Sequence, residues 1–310
     1  MQWMPSWAAK IKPAQRETIA ETVEDYLQGR RDLSAASQVS YRNVLDCFQR
    51  FTGPDLPAEQ LTEKTFRQFL ARQYDRHLKP ATIRQYHAVL KNYCQTLVNR
   101  EIISANPMLT IETPRRGAQI PQALTREQTL QLVRACGRSY TGRRMRAMLC
   151  VFLECGLRVS ELSALSLTDL DLNLRRMFVQ GKGGKERIIE FGETLKIEME
   201  EWFYIRAKFL DGRKCDALFP TQNLNSPHRA VIHRQIAGLA KSAGIDCSIS
   251  PHTLRHTCLT FKARDRGDGR PMNLWKLREL AGHSSIKTTQ IYVSACDDEE
   301  IGDTLKYIFS

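Results

Sequence analysis

Residues 250–261, SPHTLRHTCLTF, combine a strong helix start with polar residues that a buried helix seldom carries. Ser250 followed by Pro251 is typical of an N-cap and the first helical position. Apolar residues then recur at helical spacing, so one face of this helix is expected to meet a core. His252 and Arg255 lie three positions apart and therefore project from one face. The segment predicts a core helix that also carries a polar site.

The composition is that of an ordinary soluble globular protein, with 42% hydrophobic and 26% charged residues among 310. This length is sufficient for two domains. No apolar run approaches the ~20 residues that cross a bilayer, and the N-terminus lacks the apolar core of a signal peptide. Nine scattered cysteines, an odd number, argue against a disulfide framework. These features predict a protein of the reducing cytoplasm.

The charge balance is strongly basic, with 46 lysines and arginines against 34 acidic residues and a net charge of +12. This excess favours a polyanionic partner, and nucleic acid is the commonest one. A basic protein without such a partner is the alternative. With DNA as the partner, the protein is expected to associate with the nucleoid.

Residues 14–103 show only helical patterns and predict a four-helix N-terminal domain. The expected helices are 17–29, 34–51, 61–74 and 79–100. Arginines interleaved with tyrosines, among them Arg42, Arg84 and Tyr93, are expected on exposed faces of these helices. Such faces suit contacts with phosphates, although a solvated helix face is the alternative for each arginine.

Residues 104–122, SANPMLTIETPRRGAQIPQ, contain three prolines and no helical period, which predicts a linker between domains. A second domain, residues 123–296, begins with a capping box formed by Thr125 and Gln128. Two apolar runs around a glycine-rich turn predict a β-hairpin at 176–191. The remaining expected helices of this domain are 138–155, 193–210, 227–243, 252–264 and 273–281.

The roles of two further segments, the arginines of helix 138–155 and the C-terminal tail, depend on what they contact. Arg143, Arg144 and Arg146 on helix 138–155 predict either a phosphate-facing patch or, equally, a solvated face. Residues 297–310 predict a C-terminal helix with an apolar stripe, too short to be stable alone. This tail must therefore dock, either on its own domain or on another copy of the chain.

Polar residues stand in five places where packing would favour apolar ones, which suggests that they act together. They are Arg158, Lys182 with Lys185, His252 with Arg255, His283, and Tyr292. Arginine forks match a tetrahedral oxyanion such as phosphate, and histidines donate hydrogen bonds or move protons near neutral pH. A lysine can protonate a leaving oxygen, and tyrosine is a covalent nucleophile. The set suits phosphoryl transfer without a metal ion, with tyrosine as the attacking group.

Four motifs carry a resemblance to a known family: GLRVSEL, GKGGKER, PHTLRH and LAGHSSIKTTQIY. In this order and spacing they resemble the tyrosine recombinase (phage integrase) superfamily, closest to its Xer-like members. The resemblance implies a mainly α (α+β) fold. It also implies that the four-helix domain is a core-binding, SAM-like domain, followed by a helical catalytic domain with a small antiparallel β-sheet.

The resemblance implies which residues surround the scissile phosphate. Arg158 and Arg255 would clamp its non-bridging oxygens and stabilise the charge of the transition state. His283, at a position that the family fills with histidine or tryptophan, would contact the same phosphate. His252 and Arg255 would then share a helix face because they share a phosphate.

The resemblance also implies which residues move protons and attack phosphorus. Tyr292 would attack, leaving a 3′-phosphotyrosyl link that conserves the bond energy, so that ligation needs neither ATP nor metal and no cofactor is expected. His252 would accept the tyrosine proton or hydrogen-bond the phosphate. Lys182 would protonate the departing 5′-hydroxyl, and Lys185 is the competing candidate because the two lysines are close in sequence.

The expected partners are a double-stranded DNA recombination site and further copies of the chain, as a tetramer on paired sites. A paralogous recombinase is a further candidate partner. By resemblance, residues 297–310 would pack on a neighbouring protomer. The motifs do not distinguish dimer resolution from integration of a phage, transposon or integron cassette.

Three other functions fit part of the sequence. A zinc site could use His252, His256, Cys258 and His283, although Arg255 would place a cation beside the metal. A DNA-binding protein that has lost catalysis could retain these motifs, but all six expected catalytic residues are present. A type IB topoisomerase shares the chemistry, and the helical N-terminal domain favours a recombinase.

Overall fold

The computed structural model describes residues 16–114, 123–181, 184–265, 270–283 and 285–294. The chain divides into two compact units, Met1–Ala118 and Gln119–Ser310. Lys182, part of the expected linker and the tail at 297–310 lie outside the described residues. Among the described helices, none has the length and the apolar composition that a membrane span requires.

Four α-helices form the N-terminal unit, each beginning close to the position that its sequence predicts. They are α1 (Ile19–Gly29), α2 (Ala35–Thr52), α3 (Glu63–Asp75) and α4 (Pro80–Asn99). Thr18 and Glu21 form a capping box at the start of α1, and Pro80 occupies the first turn of α4. Met108 and Ile111, from the first part of the expected linker, are buried in the core of this unit.

The core of the N-terminal unit is rich in aromatic side chains. Phe48 of α2 stacks on Phe66 of α3, with ring centroids 5.0 Å apart. Tyr93 of α4 is fully buried, and its hydroxyl lies 2.7 Å from that of Thr22. The prediction that Tyr93 lies on an exposed face is therefore wrong, because α4 packs against both α1 and α2 and buries this side.

The C-terminal unit is helical with one small sheet. Its α-helices are α5 (Arg126–Arg134), α6 (Tyr140–Cys155), α7 (Val159–Ala164), α8 (Glu193–Leu210), α9 (Arg229–Ser242), α10 (Pro251–Arg264), α11 (Leu274–Ala281) and α12 (Ile286–Ser294). The strands are β1 (Leu170–Asp171), β2 (Arg176–Gln180) and β3 (Glu186–Glu190), antiparallel in the order β1-β2-β3. The predicted hairpin and capping box are confirmed, whereas α7 and α12 were not expected as helices.

Helix α6 forms the centre of the C-terminal unit, with α8 and α10 packed against it. It ends at Gly156, whose backbone is left-handed with φ of 59°. A Cβ at this position would lie 3.2 Å from Cys258 Sγ of α10, so glycine permits both the turn and the close approach of the two helices. This turn places the next residues, including Arg158, beside the first turns of α10. The predicted fold class, a mainly α protein with a small antiparallel sheet, is confirmed.

Candidate active site

Four chain segments bring five of the six predicted catalytic residues, all except Lys182, together at one end of α10. Arg158 is the N-cap residue of α7, directly after the turn at Gly156. His252 and Arg255 lie in the first two turns of α10, which Ser250 and Thr253 cap. His283 follows the left-handed Gly282 that ends α11, and Tyr292 lies on α12. Arg158, His252 and His283 are therefore placed by a helix end or a first turn, whereas Arg255 lies in the second turn of α10 and Tyr292 lies further along α12.

The guanidinium of Arg158 is held in a fork between two acceptors. Its Nη1 donates to Glu161 Oε1 at 2.7 Å, and its Nη2 donates to the carbonyl of Gly282 at 3.0 Å. A Cβ on Gly282 would lie 3.3 Å from Arg158 Nη1, so glycine lets the arginine approach this backbone closely. About a third of the Arg158 side chain, 36%, remains exposed and available to a ligand.

Arg255 is the buried partner of Arg158, with only 2% of its surface exposed. Its Nη1 donates to the carbonyl of Gly156 at 2.6 Å, and its Nη2 contacts the carbonyl of Ala281 and His283 Nε2, the latter at 3.2 Å. Burial and the positive charge of Arg158 lower the pKa of Arg255 to about 10, so it stays charged at neutral pH. Arg255 thus joins the ends of α6 and α11 to the site.

A buried carboxylate, Glu161, orients the arginines. It accepts hydrogen bonds from Arg158 and also from both terminal nitrogens of Arg187 on β3, at 3.0 and 2.8 Å. Burial alone would raise the pKa of Glu161, but hydrogen bonds from Arg187 and from the Arg158 backbone outweigh it and lower the pKa. The carboxylate therefore stays ionised, and it offsets part of the positive charge that three arginines bring into the site.

His283 is fixed on both sides of its ring. Its Nε2 faces Arg255 Nη2, and its Nδ1 lies 3.0 Å from the hydroxyl of Thr289 on α12. Burial, together with Arg255 and Arg158, lowers the pKa of His283 to about 4. The imidazole is therefore neutral at neutral pH.

Tyr292 lies inside this cluster, with 5% of its surface exposed. Its ring is nearly parallel to that of His283, with centroids 6.2 Å apart. Its hydroxyl contacts Nδ1 of His256, the residue next to Arg255 on α10. Burial raises the pKa of Tyr292 to about 12, against an opposing effect of Arg255, so the hydroxyl is protonated in the free protein.

His252 does not contact the tyrosine. Its Nε2 instead lies 2.8 Å from Nε2 of His256, one helical turn further along α10. Burial lowers its pKa, with smaller contributions from Arg255 and Arg158. The histidine that meets the nucleophile is thus His256 rather than His252.

Two clefts meet at Arg158 and His283. One, of about 350 Å³, is also lined by His252 and Arg255. The other, of about 940 Å³, is lined by Gly181, Lys185 and residues of α11. A phosphate at the junction would be within reach of the exposed part of Arg158, and the two clefts leave room on either side of it for the rest of a bound ligand.

The lysine candidates are placed differently. Lys182 lies outside the described residues, so its expected role as general acid stays a prediction. Lys185, which follows the turn, is exposed and lines the larger cleft. The hairpin itself is anchored to the site, because Arg187 Nε donates to the carbonyl of Leu280 at 3.1 Å.

The three arginines of α6 do not form the exposed, phosphate-facing patch that the sequence suggested, because each has a partner within the protein. Arg144 is 5% exposed and donates to the carbonyl of Pro220 at 2.8 Å, so the prediction of an exposed arginine is wrong there. Arg146 is half-buried and forms a bidentate ion pair with Glu198. Arg143 pairs with Glu201 at 2.8 Å. Because α8 packs along α6, Arg143 and Arg146 stabilise the contact between the two helices, whereas Arg144 binds the segment that contains Pro220.

The arginines of the N-terminal unit remain candidates for phosphate contacts. Arg42 is exposed and pairs with Glu24 at 3.1 Å, an arrangement that DNA could displace. Arg84 lies half-buried on α4. Their predicted contacts with DNA stay predictions.

Three residues of the cluster were not predicted as site residues from the sequence: Glu161, Arg187 and His256. The spacing of Arg158 and Glu161 is that of a capping box, and Arg187 ends the GKGGKER motif.

The zinc alternative did group His252 with His256 at helical spacing, but it also required Cys258. In the structure Cys258 is buried, and its Sγ faces the carbonyl of Glu154 at 3.5 Å. Within the described residues, no three His, Cys, Asp or Glu side chains are grouped to hold a metal ion.

Each of the two units matches a known protein family or domain. Residues 122–299 match the phage integrase family, and residues 22–101 match the phage integrase N-terminal SAM-like domain. The tyrosine recombinase XerD of Pseudomonas putida is 32% identical over 289 residues, covering 90% of this chain and 93% of its own. The tyrosine recombinase XerC of Haemophilus influenzae is 31% identical over 270 residues, covering 86% and 89%.

Solved structures share the fold. A lambda integrase (75–356) dimer bound to a COC′ core site has a TM-score of 0.75 at 16% identity, covering 92% of this chain and 98% of its own. The XerH recombinase bound to a palindromic difH substrate has a TM-score of 0.72 at 21% identity, covering 89% and 81%. The fold, the matched family over most of the chain and the Xer relatives agree. The chain therefore belongs to the phage integrase family and is a tyrosine recombinase.

Proposed function

We propose that this chain cleaves and rejoins double-stranded DNA at specific sites through a 3′-phosphotyrosyl intermediate on Tyr292. The observation that carries the proposal is the position of the Tyr292 hydroxyl, inside a cluster with two arginines and a neutral imidazole. Arg158 and Arg255 bind the scissile phosphate from two sides and neutralise the charge that develops in the transition state. His283, held between Arg255 and Thr289, lies against the same phosphate and orients the guanidinium of Arg255.

Lys182 is proposed to protonate the departing 5′-oxygen. The support is its place in the chain, because Gly181 before it lines the same cleft as Arg158. Lys185, in the same cleft, is proposed to contact the DNA backbone. The link to Tyr292 conserves the energy of the phosphodiester, so the reverse attack by a DNA hydroxyl religates the strand without ATP, and the arginines supply the charge that a metal would otherwise supply.

The proposed assembly is a tetramer on two paired DNA sites in the nucleoid. One solved relative of the same fold is a lambda integrase tetramer bound to a Holliday junction. The other protomers are copies of this chain or of a paralogous recombinase. Packing of residues 297–310 on a neighbouring protomer stays a prediction.

A nicked suicide substrate tests the proposed chemistry. The site is first selected from a random duplex library by binding, and a nick is then placed next to each candidate phosphate so that the cleaved end diffuses away. We expect a protein–DNA adduct that resists denaturant and persists in EDTA. Binding without any adduct would indicate a DNA-binding protein that has lost catalysis. Relaxation of supercoiled DNA regardless of its sequence would favour a topoisomerase.

DNA affinity is expected to fall steeply with salt, since counterions are released when several phosphates are bound. Replacement of Arg42, Arg84 or Lys185 by alanine should lower the slope of log affinity against log salt by about 0.9 for each phosphate that the variant no longer neutralises. The measurement is titration of a selected site at about 50 to 200 mM salt. Arg100→Ala is the control, because Arg100 forms surface ion pairs as Arg42 does but is not among the proposed phosphate contacts. An affinity that stays flat over this range contradicts a backbone-dominated interface.

A further inference from the structure

The nucleophile hydroxyl contacts a histidine, and it is not the histidine expected from the sequence. Tyr292 contacts His256 Nδ1, while His256 Nε2 contacts His252 Nε2 at 2.8 Å. The rings of His256 and Tyr292 are 5.3 Å apart between centroids, and those of His256 and His252 are 4.1 Å apart. The three side chains form a continuous line from the site toward exposed His252.

The hydrogen-bond directions along this line follow from the chemistry of neutral imidazole. A protonated tyrosine donates, so His256 Nδ1 accepts and its single proton lies on Nε2. That proton is donated to His252 Nε2, which must accept, and His252 then carries its own proton on Nδ1. Each donor in the line therefore faces an acceptor. His252 therefore fixes the tautomer of His256 that can receive a proton from tyrosine.

His283, the other histidine near Tyr292, has no nitrogen available for this purpose. A guanidinium only donates, so His283 Nε2 accepts from Arg255. The proton of the neutral ring then lies on Nδ1 and points to Thr289 Oγ1 at 3.0 Å. Among the described histidines around Tyr292, this leaves His256 as the one with an accepting nitrogen at the hydroxyl.

We propose that His256 is the general base that takes the proton of Tyr292, and that His252 orients it. The inference rests on the proposed function, because it describes how the nucleophile of that reaction is activated. The Tyr292 oxygen forms a bond to phosphorus as the phosphorus–5′-oxygen bond breaks. The Tyr292 proton passes to His256 Nδ1, and the departing oxygen takes a proton from the general acid. In religation, the His256 imidazolium returns its proton to the tyrosine oxygen.

The surroundings of His256 keep its ring neutral and able to accept the tyrosine proton. Burial, with smaller contributions from His252, Arg255 and His283, lowers its pKa to about 4, so the ring is neutral before DNA binds. A phosphate held by Arg158 and Arg255 brings negative charge close to the ring, which favours the imidazolium once it forms. The base is thus strengthened when the substrate is in place.

The test is single-turnover cleavage of the nicked substrate by His256→Gln. Glutamine retains an oxygen that can accept the tyrosine hydrogen bond but cannot take its proton. We expect cleavage to be slower by about 10²-fold or more, with DNA affinity within a few-fold of the unmodified protein. In His256→Ala, added imidazole should restore part of the rate. Cleavage by His256→Gln at the unmodified rate, or faster, would overturn the proposal.

A second substrate distinguishes activation of the nucleophile from protonation of the leaving group. Sulfur in place of the bridging 5′-oxygen gives a leaving group that needs no general acid, so it should restore cleavage by Lys182→Ala but not by His256→Gln. If sulfur restores both variants equally, His256 acts on the leaving group and the proposal is wrong. Absence of any adduct with the unmodified protein would instead refute the proposed function.

Discussion

Tyr292→Phe is expected to abolish the covalent DNA adduct and to leave DNA affinity within a few-fold. The substitution removes only the attacking oxygen, because the phenyl ring fills the same buried position against α10 and α11. One hydrogen bond to His256 is removed, which costs about 1 kcal/mol of stability and leaves the fold intact. The measurements are denaturant-resistant adduct on the nicked substrate and binding to the intact site.

Two other tyrosines provide controls for this result. Tyr307 is the nearest tyrosine in the sequence, and Tyr204 on α8 is 63% exposed. Replacement of either by phenylalanine should leave adduct formation unchanged. An adduct that persists in Tyr292→Phe, and disappears in one of the controls, would assign the nucleophile to another residue.

Most helices could be predicted from local sequence because their ends are determined by local chemistry. Two helix starts are local signals: the capping box at Thr125 and Pro80 in the first turn of α4. One helix end is local as well, because Gly156 adopts the left-handed conformation that terminates α6. Helix α7 has only one such signal, the hydrogen bond from the Arg158 backbone to Glu161 three residues later. Its N-cap is Arg158, an unusual residue there, and the partner that stabilises it, Arg187, is distant in sequence.

The exposed or buried state of single arginines could not be predicted, since it depends on which helix packs alongside. Arg143, Arg144 and Arg146 share one short segment, yet only contact with α8 and the segment around Pro220 determines their partners. The same applies to the histidines of α10. Helical spacing places His252 and His256 one turn apart, but the position of α12 decides which of them meets Tyr292.

Arg158→Lys is expected to reduce cleavage by about 10²- to 10³-fold, the usual cost of removing one transition-state donor. The lysine keeps the positive charge, but an ammonium cannot contact Glu161, the Gly282 carbonyl and a phosphate oxygen in one plane as the guanidinium fork can. Binding to the intact site should change little, because many other phosphate contacts remain.

The structure explains why this substitution should leave the protein folded. Glu161 retains both hydrogen bonds from Arg187, so its buried carboxylate is still paired when Arg158 is changed. The matched control is Arg176→Lys on β2, because Arg176 forms an exposed ion pair with Glu190 at the end of the hairpin away from its turn. The measurement is single-turnover cleavage together with thermal unfolding of both variants. Near-normal cleavage by Arg158→Lys would mean that Arg158 serves only as the ion-pair partner of Glu161, and that Arg255 alone holds the phosphate.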